Sequence, residues 1–229
     1  MDPVSELFDR MDEWRHFPNY QLERRADVFF SLYLPEVLEA KLGFPLRSEL
    51  APEFPVRIGT IYPDIQTDKS YKIDYLAMSS AGDQPVFVEL KTEGASRRDS
   101  QDAYLIASQD SGLPALLEGI CSIFRVTNSK RKYYALMLHL EHMGLLRLPS
   151  ELKGIMAGAG LKGATLASAG IVVTAPETRP RVIYVQPNGH GLDVINFAEF
   201  AAVVARHSDS VSQRFAASLN EWARVQAGS

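Results

Sequence analysis

The stretch from Lys72 to Thr92, KIDYLAMSSAGDQPVFVELKT, constrains the fold more than any other part of the chain. Residues 71–78 and 85–92 are apolar segments rich in Val, Ile, Phe and Tyr, and the SSAGDQ link between them has the chemistry of a hairpin turn. Both segments read as central strands. Each nevertheless carries acid where a buried strand should carry none: Asp74 in the first, Glu89 with Lys91 in the second. Burying ionised groups costs several kcal/mol each unless they are paired or bind a metal, so these charges call for a reason.

Periodicity places the elements around this hairpin. Residues 1–15 read as a short amphipathic helix broken by HFPN at 16–19. Apolar residues at 22, 26, 29, 30, 33, 37 and 38 predict a long helix over 22–42, capped by Gly43, which Pro35 should kink or divide. Within residues 47–61 the run VRIGTIY reads as a first, edge strand. Helices are predicted over 96–108, with Ser96 as N-cap, and over 113–126, followed by a basic NSKRK turn and a further buried strand, YYALMLHL, at 133–140. Residues 156–169 are rich in Gly and Ala, which disfavours a stable helix. Residues 171–175 and 181–186 read as a hairpin across PETRP, and two helices over 197–206 and 211–225 close the chain. No repeat or low-complexity tract is present. The expected organisation is a core over residues 1–142 and a C-terminal α/β extension over 143–229, packed on it without an evident linker.

At 229 residues and 46% hydrophobic content, the chain can bury a full core. Its net charge of −4 means that any surface for nucleic acid has to be local. No apolar run is long enough to span a bilayer. The N-terminus, MDPVSELFDRMDEWRH, is acidic and amphipathic rather than basic then apolar, so no membrane association and a cytoplasmic location are expected. The one cysteine, Cys121 in LLEGICSIF, reads as a core residue.

Strand geometry gives the charges a chemistry. Side chains alternate across a strand, so Glu89 and Lys91 share a face while Val88 and Leu90 point to the other. If the hairpin pairs Asp74 with this strand, two carboxylates a few ångströms apart repel by about 4 kcal/mol at an effective dielectric of about 20, and a divalent cation removes that repulsion. Mg²⁺ or Mn²⁺ suits a few carboxylates plus water and phosphate, and Lys91 would orient or deprotonate the attacking water or stabilise charge on the phosphate. The tripeptide acid-x-Lys also occurs at Glu39 to Lys41 and at Glu151 to Lys153, both in predicted helices. Only Glu89 and Lys91 lie in an apolar strand that follows a strand with its own aspartate.

These residues resemble the PD-(D/E)XK nuclease superfamily, whose fold is restriction-endonuclease-like. The resemblance covers roughly residues 20 to 140 and implies an α/β fold with an αβββαβ core around a mixed central sheet. It implies a nuclease that hydrolyses phosphodiester bonds, DNA favoured, with Asp74 in the second core strand, Glu89 and Lys91 in the third, and Mg²⁺ or Mn²⁺ held by Asp74 and Glu89. Glu23 in the first helix, with Glu36 as its rival, matches an extra metal-side glutamate. Gln101 with Tyr104 resembles a glutamine and tyrosine on the helix after the catalytic strand, one residue closer together than in the exonuclease form. The literal Pro63-Asp64 pair falls in a loop-like segment, TIYPDIQTDKS, and reads as a decoy.

Arg97 with Arg98, and Lys130 with Arg131 and Lys132, are basic clusters that would meet phosphate; solvated turns look the same. The histidines show no metal-binding pattern beyond the close pair His139 and His142, and Trp14 and Trp222 read as packing anchors in terminal helices. A homodimer would suit an enzyme that cuts both strands. The alternatives are a nuclease-like module that binds or assembles without catalysis, in which the three charges form a salt-bridge cluster, and an enzyme acting on another phosphate ester.

Overall fold

The computed structural model describes residues 2–92, 99–158, 161 and 163–225. It is α/β, with a mixed five-stranded sheet of order β1-β2-β3-β6-β7. In chain order the elements are α1 (Pro3–Trp14), α2 (Leu22–Leu42), β1 (Ala51–Arg57), α3 (Ile58–Ile61), β2 (Ser70–Met78), β3 (Pro85–Leu90), α4 (Asp99–Val126) and α5 (Lys130–His142). There follow β4 (Leu146–Arg147), α6 (Ser150–Ala157), α7 (Ala164–Ala167), β5 (Val172–Val173), β6 (Arg181–Gln186), β7 (Val194–Asn196), α8 (Phe197–Val204) and α9 (Ser210–Val225). No helix of the described residues is long and apolar enough to cross a membrane. The residues group into two units: Met1–Ser48, Val88–Arg98 and Val182–Ser229 in one, Glu49–Phe87 and Asp99–Arg181 in the other.

The first unit is built on aromatic packing between helices. In α2 the apolar spacing buries Leu22, Ala26, Phe30, Tyr33, Leu34, Val37 and Leu38, and Gly43 ends the helix in the left-handed region at φ 77°, its N–H bonding to Glu39 O. Pro35 does not divide this helix. It removes one backbone hydrogen bond, while the buried residues on either side hold the chain in register. Phe30 packs edge-on against Phe215 of α9 (5.2 Å) and against Phe200 of α8 (5.1 Å), with Phe8 of α1 stacked on Phe215 (5.9 Å). Each such ring contributes about 1.5–3 kcal/mol by leaving water. Asn196 and Glu199 form a capping box at the start of α8, and β7 before it runs parallel to β6.

The second unit holds the first two strands. β1 and β2 pair antiparallel from Ala51 with Leu76 to Arg57 with Ser70. After β2 the SSAGDQ segment turns as its composition requires: Ser79 N–H donates to Gln84 O (2.9 Å), and Gly82 supplies the positive φ of 77°. The helices expected over 96–108 and 113–126 are joined in α4 across a break at Gly112 (φ 75°, ψ 156°). Ser96, the expected N-cap, lies outside the described residues.

Three expectations are corrected. Residues 133–140 are helical, within α5, rather than a buried strand: Met137 and Leu140 are buried one helical turn apart, a spacing that a short apolar run hides. Residues 171–175 and 181–186 do not form a hairpin. β5 pairs antiparallel with β4, Leu146 opposite Val173, while β6 pairs with β7. The run VRIGTIY is split, its first residues ending β1 and IGTI forming α3.

Candidate functional site

Glu89 belongs to β3 and Lys91 follows directly, its N–H donating to Val185 O (2.8 Å), so the backbone stays extended past the strand's end. Every residue of β3 is buried. Glu89 is 2% exposed and Lys91 5%. Alternation sets the two side chains on one face, and the Lys91 ammonium donates to Glu89 Oε1 at 2.7 Å and to Leu90 O at 3.0 Å. A carboxylate and a carbonyl oxygen of the same strand therefore converge on one positive charge.

Neither of the other acid-x-Lys triplets does this. Glu39 accepts a bond from Leu46 N–H (2.7 Å), while Lys41 turns to Glu199 (3.4 Å). Glu151 is exposed, and Lys153 pairs with Glu141 (2.8 Å). Lys153 and the Leu148 N–H hold the Glu141 carboxyl below the usual carboxylate range, against the opposing effect of burial. Asp64 of the Pro-Asp pair is exposed in a turn.

Asp74 lies in β2 of the second unit and is half-buried. Gln101, in the first turns of α4, donates from Nε2 to the Tyr104 hydroxyl (3.3 Å), and that hydroxyl donates to Lys72 O (3.1 Å). Gln101 and Tyr104 are thus brought together and tied to the strand that carries Asp74. One feature here had no sequence signal. Glu53 of β1 stands between the Pro52–Tyr75 and Phe54–Ile73 pairs, level with Asp74, and adopts φ 51°. A non-glycine residue in the left-handed region stores about 1–3 kcal/mol of strain, which the surrounding sheet enforces.

Glu23 is half-buried in the first turn of α2. Its rival Glu36 is engaged elsewhere, with His207 Nε2 (2.7 Å) and Arg206 (3.8 Å). Of the second basic cluster, Lys130 donates to the carbonyls of Phe124 and Arg125, closing the end of α4. Burial holds its pKa below the ordinary lysine value. Arg131 donates to Met156 O (3.3 Å) and Gly158 O (3.1 Å), and Lys132 is exposed. Arg97 and Arg98 lie outside the described residues. His139 bonds to Leu50 O (2.8 Å) and His142 faces Glu49 (3.7 Å), so the pair at 139 and 142 does not converge on one point. Cys121 is buried, and burial pushes its thiol up to about 11.

Among the described residues no group of three or more His, Cys, Asp or Glu side chains is arranged to hold a metal ion. Mg²⁺ and Mn²⁺ ask for less, one or two carboxylates with water and substrate phosphate making up the rest. Glu89 Oε1 and Leu90 O are oxygen donors of the kind such an ion takes, and both accept from the Lys91 ammonium. The chain matches no protein-family model, no curated protein and no solved structure.

Proposed function

We propose that the chain is a nuclease of restriction-endonuclease-like fold that uses Mg²⁺ or Mn²⁺ to hydrolyse phosphodiester bonds of nucleic acid, DNA favoured, in the cytoplasm. The reading is carried by one observation: Glu89 and Lys91 are buried side by side at the end of a fully buried strand. The succession of α2, β1, β2, β3 and α4, with the short α3 between β1 and β2, supports the fold.

Asp74 and Glu89 are the carboxylates proposed to hold the metal, with Glu23 as an outer ligand. Bound Mg²⁺ or Mn²⁺ supplies a lowered water pKa and offsets charge on the phosphate. Lys91 exchanges its bond to Glu89 for one to the attacking water or to a phosphate oxygen, where its ammonium stabilises the charge of the transition state. Gln101 orients water or substrate through its amide.

Wild-type protein is expected to cleave at least one of supercoiled, linear or single-stranded DNA, or RNA, only when Mg²⁺ or Mn²⁺ is present, and Lys91→Ala to slow this by about 100-fold or more. No cleavage of any of the four overturns the reading. A nuclease-like module without catalysis is the alternative, favoured by the Lys91 ammonium being satisfied within its own strand. Its signature is nucleic-acid binding without cleavage.

A further inference from the structure

Tyr71 is the second residue of β2, and the residue is 38% exposed. Its ring lies parallel to that of Tyr104, with 6° between the planes and 4.6 Å between the centroids. Tyr104 is only 7% exposed and is held at its hydroxyl by Lys72 O and by the Gln101 amide. One face of Tyr71 therefore rests on a ring that is itself fixed to the strand backbone, and the side chain remains open to solvent. An exposed tyrosine alone means little. A ring already oriented by a buried partner has lost its rotamer freedom beforehand, which is what a stacking surface for a planar ligand requires.

The flanking sequence is KSYK, and Lys69 and Lys72 are both exposed. The nearby acids are engaged: Asp68 with Arg57 (2.8 Å) and Glu53 with Lys72 itself. The Glu53–Lys72 pair is exposed on both sides and yields readily to a phosphate. In a chain with net charge −4, this puts one lysine on each side of an oriented aromatic along the chain, Lys72 projecting to the alternate face of β2.

We propose that Tyr71 is a base-stacking platform, with Lys69 and Lys72 meeting the neighbouring phosphates, and that the chain binds single-stranded nucleic acid in preference to duplex. Base faces inside a duplex are covered by their neighbours, so only an unstacked base can lie on Tyr71. Asp74 follows three residues later, about 10 Å along the strand, and alternation turns it to the face opposite Tyr71. The proposal rests on the nuclease reading for the bond-breaking step, which it supplies with a substrate class; the binding it describes does not need the metal.

The test is fluorescence anisotropy in EDTA with labelled single-stranded DNA, single-stranded RNA and the corresponding DNA duplex. Wild-type protein is expected to bind at least one single strand more tightly than duplex. Tyr71→Leu should weaken that single-strand binding by roughly 5- to 150-fold, as for the loss of one base–aromatic stack. Tyr71→Phe, which keeps the ring, should bind like wild type, and thermal melting should show all three folded. Equal loss in Tyr71→Leu and Tyr71→Phe, an unchanged affinity in Tyr71→Leu, or no single-strand binding by wild-type protein overturns the proposal. Cleavage in Mn²⁺ separates the two readings: Tyr71-dependent binding without cleavage keeps the platform and sinks the nuclease, whereas cleavage indifferent to Tyr71→Leu does the reverse.

Discussion

Among the described residues the first unit buries charge in two places, and they are built on different principles. Asp12 of α1 accepts from Trp222 Nε1 (2.7 Å), Arg214 Nη2 (2.6 Å) and the Ser218 hydroxyl (3.2 Å), all on α9 and more than 200 residues away along the chain. Each of those bonds joins the first helix to the last. The Lys91 ammonium instead donates to Glu89 and Leu90, its own immediate neighbours. Such bonds close no loop and fix no element against another. The desolvation cost is incurred in both places, and at Asp12 the bonds that offset it also hold the first helix to the last. A lysine held by bonds within its own strand can give them up to a substrate without parting one element from another, which is why the functional reading is placed at Glu89 and Lys91.

Stability measurements can break this contrast. Asp12→Ala leaves the buried Trp222 N–H without its acceptor and takes one of two carboxylates from Arg214, which keeps Asp9 (2.7 Å), and should cost about 1–3 kcal/mol in urea unfolding. Replacing the other pair together, Glu89→Gln with Lys91→Met, removes both charges and should leave stability within about 1 kcal/mol of wild type, or above it, while abolishing metal-dependent cleavage. A double variant as unstable as Asp12→Ala would make the strand pair structural and remove the distinction.

A smaller effect sharpens the structural side. Asp209 caps α9: its carboxylate accepts from the Ser212 hydroxyl and from Ser212 N–H (3.0 Å). These bonds, the hydroxyl first, hold its pKa below the ordinary carboxylate value. Its contribution is therefore complete above the unfolded-state pKa of about 3.9 and is lost as pH falls through the lower folded-state value. Asp209→Asn should flatten the acid side of the stability–pH curve below about pH 4 and leave cleavage at neutral pH unchanged. An identical acid slope in the variant would mean that this cap does not act through its charge.

What could be read from the sequence depended on how local its cause was. α2 was legible from end to end because Leu22, Ala26, Phe30 and Val37 mark one face and Gly43 stops it. The SSAGDQ turn was legible for the same reason, its bond from Ser79 to Gln84 being set by six consecutive residues. Tyr133 to Leu140 was not, because eight residues with apolar members throughout fit either period, and only Met137 and Leu140 facing the core decide for the helix. The pairing of Leu146 with Val173 is long-range, so nothing near either residue announces it. In the candidate site, alternation was enough to place Lys91 beside Glu89. The left-handed Glu53 level with Asp74, and the Tyr71–Tyr104 stack, arise from strand register and from helix docking, which no spacing rule reveals.

The central claim is that the charges in these strands exist to hold a divalent ion, and Mn²⁺ binding tests it without requiring a substrate. Titration calorimetry of wild-type protein, Glu89→Gln and Asp74→Asn should give saturable Mn²⁺ binding in the first and its loss in both variants, each checked for folding by thermal melting. Equal Mn²⁺ binding by all three folded proteins, or none by the wild type, would contradict it.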